Sequence, residues 1–549
     1  MEIHTIKKIE EAALKKNSTD FTRLGFALFF MIGVLTFSFL SNGGIPNNMF
    51  LAVAALIGAY MAINIGANDV ANNVGPAVGS KAMTMTMAIV IAAVFEASGA
   101  FIAGGDVVST IKKGIIDISA FGGHPDQFIW AMMAALLAAA LWLNFATMIK
   151  APVSTTHSIV GGVMGAGIAA AGLGIVSWGT MGKIAASWVI SPVLGGAIAA
   201  LFLISIKKSI TYKEDKIAAA KTWVPVFVAI MSWAFITYLT LKGLKKIWPQ
   251  IVEMLNMLPL ISIEMTKKPT LITALTLGAV IAIIVYALVK RNLSKNATML
   301  ENTKASVNTL FTIPLIFSAA LLSFAHGAND VANAVGPLAA INDAVVNGGV
   351  NSKASIPLWV MGVGAVGIAI GLALYGPKLI KTVGSEITEL DQIRAFSIAM
   401  AASITVIIAS QLGLPVSSTH IAIGGVFGVG FLREYLHKNG SKTNTIQEDR
   451  NIIADEKSTL NAHKAELNAL ETKTQKVQEE YERIVTLYKL IEEENKIIKS
   501  TKKHLKREKN IQYVKRDAVK KIIAAWIITV PAAAILAGLL FYMIKGIMV

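Results

Sequence analysis

Residues 66–76 read GANDVANNVGP and residues 327–337 read GANDVANAVGP. The two stretches differ only in Asn73 against Ala334, and each sets an aspartate inside an apolar run. An ionised carboxylate costs several kcal/mol at membrane depth, so Asp69 and Asp330 call for a partner, a cation or a water-filled cavity. Gly66 and the Gly75–Pro76 pair bracket a short piece, which predicts a broken helix with free backbone carbonyls. Asn68, Asp69 and Asn72, with Asn329, Asp330 and Asn333 in the second copy, supply side-chain oxygens three and four residues apart on a helix. Hard oxygen donors gathered at a helix break suit a small cation, Na+ or H+. A helix-packing motif, its Asp paired with a Lys, explains a single copy about as well.

The surroundings decide the class of protein. Of the 549 residues 54% are hydrophobic and 15% charged. Runs such as 83–104, 183–204 and 521–543 exceed the ~20 residues that cross a bilayer core as helix. The chain reads as all-α and polytopic, with about 12–13 membrane segments. Candidate crossings are 24–41, 49–76, 83–104, 128–148, 152–172, 183–206, 222–243, 271–289, 310–337, 357–376, 395–413, 415–432 and 521–545. The first is read as a retained anchor rather than a cleaved signal. With no Cys, disulfides and thiolate metal sites are excluded. The net charge of +16 points to basic residues beside spans, not to nucleic acid. No His/Glu cluster has metalloenzyme spacing, and no GxSxG or Walker loop stands in a usable context, so an enzyme is not read.

Charge gives a side to each loop. Connection 207–221 carries Lys207, Lys208, Lys213, Lys216 and Lys221, and connection 290–304 carries Lys290, Arg291, Lys295 and Lys304. The positive-inside rule makes that side cytoplasmic. Counting outward places the N-terminus and residues 433–520 in the cytoplasm of a cell (plasma or inner) membrane protein; Lys7, Lys8, Lys15 and Lys16 agree, while Lys245, Lys246, Lys267 and Lys268 oppose it. On this count the two GANDVAN crossings run in opposite directions. The expectation is two inverted-topology repeats with broken or re-entrant helices, the architecture of secondary transporters, in which substrate binds near the midplane between the halves. A packing motif alone explains two antiparallel copies poorly.

A second repeated pair supports this. PVSTTH (152–157) and PVSSTH (415–420) follow the two GANDVAN copies at similar distances. Pro152 and Pro415 end the preceding crossing. Ser154, Thr155 and Thr156, and Ser417, Ser418 and Thr419, stand where helix N-caps belong, ahead of Gly-rich apolar helices. A helix start exposes unbonded N–H groups and the positive dipole end, so two such starts can converge on one tetrahedral oxyanion. His157 and His420 close the motifs, with a structural role preferred to anion contact or proton relay. Glu96 is a further intramembrane acid and a candidate coupling residue. Lys150 is either a lure for anions or a snorkelling interfacial side chain.

Residues 433–520 are rich in Lys and Glu, and Leu460, Leu467, Leu470, Val477, Ile484, Leu487 and Ile491 recur at three- and seven-residue steps. They read as a helical hairpin or short coiled coil, either a plain solvated insertion or a regulatory element. The organisation read from the chain is 1–48 as N-terminal segment and extra span, 49–206 as first repeat, 207–309 as linking helices and basic loops, 310–432 as second repeat, 433–520 as cytoplasmic insertion and 521–549 as final span.

At GANDVANNVGP, PVSTTH, GANDVANAVGP and PVSSTH, in that order, the sequence resembles the PiT family of inorganic phosphate transporters. The resemblance covers about 50–432 and the last span. It implies symport of phosphate with Na+ or H+, and some members carry sulfate instead. By position it implies cation binding, sodium being the metal, at Asn68, Asp69, Asn72, Asn329, Asp330 and Asn333. It implies phosphate contact at Ser154, Thr155, Thr156, Ser417, Ser418 and Thr419, and it places Glu96 in the family's Phe-Glu pattern. Asn73 departs from the usual small residue, and the later half has no acid equivalent to Glu96, the stretch matched to it being FSIAMAAS (396–403).

The resulting expectation is a secondary transporter importing inorganic phosphate with a cation, Na+ favoured because Asn does not titrate. A sulfate permease, an anion channel and a phosphate-sensing membrane protein are the alternatives. Partners are phosphate, the cation and the lipid bilayer, with a homodimer left open. No cofactor is expected beyond the transported ions.

Overall fold

The computed structural model describes residues 3–549 except 47, 122–123, 150–152, 246, 258–265, 297–299, 349–355, 387–389, 440–441, 510–512 and 515. Lys150, Pro152 and Lys246 therefore lie outside the described residues. Among the described residues the secondary structure is helical, apart from one isolated bridge between Ile116 and Val176. The chain forms two compact units. One comprises Met1–Val429 with Arg516–Val549, the other Gly430–Lys515.

Among the described residues, eleven helices are long and apolar enough to cross a membrane. The crossings predicted at 24–41, 49–76, 310–337 and 521–545 appear as Asp20–Ser41, Asn48–Gly79, Thr312–Asn347 and Ile522–Met548. Two predicted crossings, 152–172 and 415–432, are absent from that set. The helix Thr155–Ala171 has 17 residues, about 25 Å at the helical rise. The apolar part of Ser418–Asn439 ends at Arg433. Both start deep in the protein, with Ser154, Thr155 and Thr156, and Ser417, Ser418 and Thr419, all buried. The assignment of loops to sides, and of opposite directions to the two GANDVAN helices, counts both as crossings.

The break expected at the repeated motif is smaller than predicted. In the first copy the helix Asn48–Asn68 passes to Val70–Gly79 through a single hitch at Asp69, where Asn72 N donates to Asp69 O at 2.9 Å. In the second copy Thr312–Asn347 runs unbroken through Gly327 and Pro337. Pro removes one N–H and crowds the preceding turn, yet both prolines lie in continuing helices, so the motif carbonyls are mostly spent within the helix.

The motif glycines serve close approach. A Cβ on Gly66 would overlap the Ile368 carbonyl, and one on Gly371 the Ile63 carbonyl. Gly327, at the motif position of Gly66, meets Glu96 in the same way, and Gly99 meets Phe324. Each GANDVAN helix thus lies backbone to backbone against the crossing that follows the other copy: Asn48–Asn68 on Leu358–Glu386, and Thr312–Asn347 on Met85–Ala103. Ile368, within GIAIG, takes in one contact the place Glu96 takes in the other. This corrects the expected match to FSIAMAAS, which lies on Gln392–Gln411; the absence of a second acid stands.

The unit Gly430–Lys515 contains the antiparallel pair Lys442–Glu471 and Gln478–Lys509. Leu460, Leu467 and Leu487 are buried. Across the pair Arg483 holds Glu466 through two nitrogens at 2.8 and 3.0 Å, and Tyr488 donates to Glu471 at 2.6 Å. Exposed pairs of this kind fix register more than they stabilise.

Candidate functional site

The two GANDVAN segments and the two helix starts meet in one buried cluster. Asp69 is 1% exposed and Asp330 0%. Thr155 donates to Asp69 Oδ2 at 2.6 Å, and Thr419, from the other half of the chain, donates to Asp69 Oδ1 at 2.9 Å. Ser418 donates to Asp330 Oδ2 at 2.8 Å. Asn72 Nδ2 donates to Thr419 Oγ1 at 2.9 Å, and Asn333 Nδ2 to both Thr155 Oγ1 and Thr156 Oγ1 at 3.1 Å. Thr156 in turn donates to Val416 O at 3.0 Å. The residues expected to hold a cation and those expected to hold phosphate are therefore interleaved, not placed in separate pockets.

Local chemistry explains the placement. Ser154 accepts from His157 N at 3.1 Å and Ser417 from His420 N at 3.2 Å. Each is a helix N-cap satisfying one orphan amide. That leaves Thr155, Ser418 and Thr419 in the first turn with their hydroxyls on the carboxylates, while Thr156 turns to Val416 O. Asn68 donates to Thr147 at 2.8 Å. Asn329 satisfies its surroundings with its amide nitrogen toward Val416 O (3.1 Å) and Asp330 Oδ1 (3.0 Å) and its oxygen accepting from Ser410 at 3.1 Å. Among the described residues, the buried carbonyl oxygens Asn68 Oδ1, Asn72 Oδ1 and Asn333 Oδ1 have no hydrogen-bond partner. A buried acceptor left in this way is costly unless a ligand fills it.

His157 and His420 pack edge to face with ring centres 4.5 Å apart; His157 meets Trp188 at 3.8 Å with the rings tilted by 41°, and His420 stacks on Trp526 at 3.6 Å.

Two features escaped the sequence reading. His326 stands immediately before the second motif, where the first copy has Ile65. Its Nδ1 lies 2.6 Å from Glu96 Oε2 and its Nε2 2.7 Å from Asp330 Oδ2. Glu96 Oε1 accepts from Asn73 Nδ2 at 2.7 Å. The mismatched Asn73 therefore belongs to a buried chain, Asn73–Glu96–His326–Asp330, whose counterparts around Asp69 are Ala334, Ile368 and Ile65. A His one residue before a repeated motif, and absent from the other copy, was the available signal. The second feature is the ring of partners Thr147 and Ser410, which no motif marks.

The cluster holds three carboxylates, Asp69, Glu96 and Asp330. Among the described residues their side-chain contacts are His326, amides and hydroxyls. Such a site gathers negative charge and lacks a full set of cations, so it can draw in small cations.

Residues 65–537 match the phosphate transporter family. A Helicobacter pylori (strain J99) protein named as a phosphate permease is 49% identical over 544 residues, covering 98% of each chain. A Pyrococcus abyssi protein named likewise is 37% identical over 384 residues, covering 70% of this chain and 89% of its own. A solved structure described as the sodium-dependent phosphate transporter superposes with a TM-score of 0.69 at 29% identity, over 90% of this chain and 99% of that one. Doubled motifs meeting in one buried cluster, an all-helical multi-pass fold and these matches lead to one conclusion: the chain belongs to the phosphate transporter family and is a membrane transporter, not an enzyme.

Proposed function

We propose that the protein imports inorganic phosphate by symport with a cation, Na+ in the first instance, through two repeats of opposite orientation. The observation that carries this is the pair of hydroxyls on Asp69: Thr155 and Thr419 donate their only O–H to its carboxylate. A hydroxyl has one proton to give. A cation at Asp69 and Asp330 neutralises the acceptors and frees Thr155, Thr419 and Ser418 to donate to an oxyanion at the helix starts. Cation and phosphate then favour each other's binding, which is coupling in the thermodynamic sense. The unpartnered oxygens of Asn68, Asn72 and Asn333 suit Na+ as hard ligands. They also suit the O–H of a hydrogenphosphate, which sulfate lacks, and this favours phosphate over sulfate. The reciprocal contacts of Gly66 and Gly327 support the inverted relation of the halves. The reading invokes no cofactor.

Coupling to H+ is the second reading, favoured by the contiguous titratable groups Glu96, His326 and Asp330. Uptake of labelled phosphate into proteoliposomes under Na+ and H+ gradients imposed separately tests both. Accumulation under the Na+ gradient alone is expected. Accumulation under the H+ gradient alone supports the second reading, and passive flux without accumulation would sink both.

We also place the protein in the cell membrane with the N-terminus and residues 433–520 in the cytoplasm, from the Lys and Arg distribution. Because the chain has no Cys, a single cysteine at the exposed Lys502 reports its side directly. Labelling of intact cells by an impermeant maleimide would contradict the placement.

A further inference from the structure

A short reversal, residues 411–416, leads the chain into the second helix start, and side chains from outside the buried cluster hold it. The helix Gln392–Gln411 leaves its last four carbonyls without intrahelical donors. Leu412 N donates to Ile408 O at 3.2 Å, Leu414 N to Ala409 O at 3.0 Å and Gly413 N to Ser410 O at 3.1 Å. The fourth, Gln411 O, accepts from Lys242 Nζ at 3.4 Å. Gly413 has φ +67°, the left-handed conformation that glycine supplies after a helix end. Its carbonyl accepts from Thr110 Oγ1 at 2.7 Å, across 303 positions of sequence. Three residues on, Val416 O accepts from Thr156 at 3.0 Å, and Ser417 then caps the helix that carries Ser418 and Thr419.

Thr110 and Asp106 stand four apart on the helix Gly105–Lys113, hence on one face. Asp106 pairs with Lys242. One helix face therefore reaches the reversal twice, directly at Gly413 O and through Lys242 at Gln411 O. None of the three residues belongs to a repeated motif, and Lys242 comes from the linking stretch 207–309. A hydroxyl has one proton to give. Thr110 gives it to backbone, so it acts on the path of the chain and not on an ion. A binding side chain needs to be held within about 0.5 Å of its productive place by the groups behind it. Ser418 and Thr419 lie five and six residues beyond Gly413, and what fixes the reversal fixes them.

We propose that Thr110 is a positioning residue for phosphate: with Asp106 and Lys242 it clamps residues 411–416 and so sets where Ser418 and Thr419 present their hydroxyls. The clamp rests on the reading of that helix start as part of the phosphate site.

The test takes two readouts from the full-length protein. Amide hydrogen exchange of residues 411–420 is measured in detergent without phosphate. Initial rates of labelled phosphate uptake are measured in proteoliposomes under the gradient that drives uptake. Thr110→Val keeps the shape of the side chain and removes the donor. It should quicken exchange across 411–420 and raise the phosphate KM about 3–10-fold, the factor one ordinary hydrogen bond represents, with the maximal rate nearly unchanged. Thr110→Ser, which keeps the hydroxyl, should restore both. Thr240→Val is the control: the Thr240 hydroxyl bonds Ile236 O in its own turn at 2.8 Å, so its loss should move neither readout. Asp106→Asn, which releases Lys242, should raise KM by a smaller factor, and it decides the matter if thermal unfolding shows that Thr110→Val does not fold. Unchanged exchange and KM in folded Thr110→Val, or a fall in maximal rate alone, overturns the clamp. A wild-type chain without saturable phosphate uptake would defeat the symport reading and the substrate named here, while exchange of 411–420 still decides whether Thr110 holds the reversal.

Discussion

Asn333 Nδ2 lies 3.1 Å from Thr155 Oγ1 although 178 positions separate the two residues. The second GANDVAN thus reads the first PVSTTH, just as Asn72 of the first GANDVAN reads Thr419 of the second helix start. Each proposed binding element is completed by the opposite half of the chain.

Removing one of these crossed donors should therefore weaken phosphate without abolishing the fold. Asn333→Ala and Thr155→Val each delete hydrogen bonds in a charged cluster, worth about 1.5–3 kcal/mol. The expected result is a phosphate KM raised roughly 10–100-fold. The double variant should show strong non-additivity, because the residues share one contact. Additive effects would mean that they act apart.

Neutralising the carboxylates should act on the cation. Asp330→Asn and Asp69→Asn are each expected to reduce cation-dependent uptake by at least ~100-fold in reconstituted vesicles, with binding of the protein to the membrane unchanged. Near-normal uptake with intact cation dependence would count against the assigned roles.

Backbone contact makes the motif glycines intolerant of the smallest change. Gly66→Ala and Gly327→Ala insert a methyl where a carbonyl already lies. Overpacking costs about 1–3 kcal/mol even where side chains can shift, and backbone shifts less easily. Both variants should lower the thermal midpoint by several degrees. Gly25→Ala, with no atom within 4 Å of the added carbon, should leave it unchanged.

Asp106 offers a test by pH. Burial pushes its carboxyl upward, but the Lys242 ammonium that it binds, with Lys245 Nζ 3.7 Å away, outweighs this and holds it below the ordinary carboxylate value. A depressed acid contributes stability that is fully present above its unfolded pKa, about 3.9, and is lost as pH falls through the folded value. The penalty of Asp106→Asn, read as a shift in thermal midpoint, should thus be constant between about pH 8 and pH 5.5. A penalty that vanishes near neutrality would show that the pair is not ionic.

Every residue of the buried cluster lies in the unit formed by Met1–Val429 and Arg516–Val549. Replacing 441–515 by a flexible linker should leave the rate and cation dependence of uptake near those of the full chain. A large loss, or a change in oligomer size, would assign the hairpin a regulatory or assembling role.

Much of this was legible beforehand for physical reasons. Long apolar runs admit few solutions in a bilayer, so the spans were readable. A costly Asp repeated in one context announced the cluster, and hydroxyls after Pro announced helix starts. What stayed hidden depends on which surfaces meet. His326 carries no pattern of its own; its meaning comes from Glu96, 230 positions away. Ile368 could not be matched to Glu96 by spacing, because the chain between motif and contact differs in length in the two halves. The motif helices continue through Gly75–Pro76 and Gly336–Pro337, where sequence rules place a stop.

The glycine contacts carry one more consequence, a mechanical one. Helices pressed together carbonyl to Cα interlock, and they cannot slide by a residue without collision. Asn48–Asn68 is clasped in this way to Leu358–Glu386, and Thr312–Asn347 to Met85–Ala103. Each clasp makes a stiff beam from one helix of each half. Asp69 follows the first beam and Asp330 lies on the second, and the beams also meet directly, Gly58 against Leu338 and Gly364 against Val335. A movement that keeps both clasps must carry each beam as a whole, so a change in the distance between Asp69 and Asp330 is a change between beams and not within one.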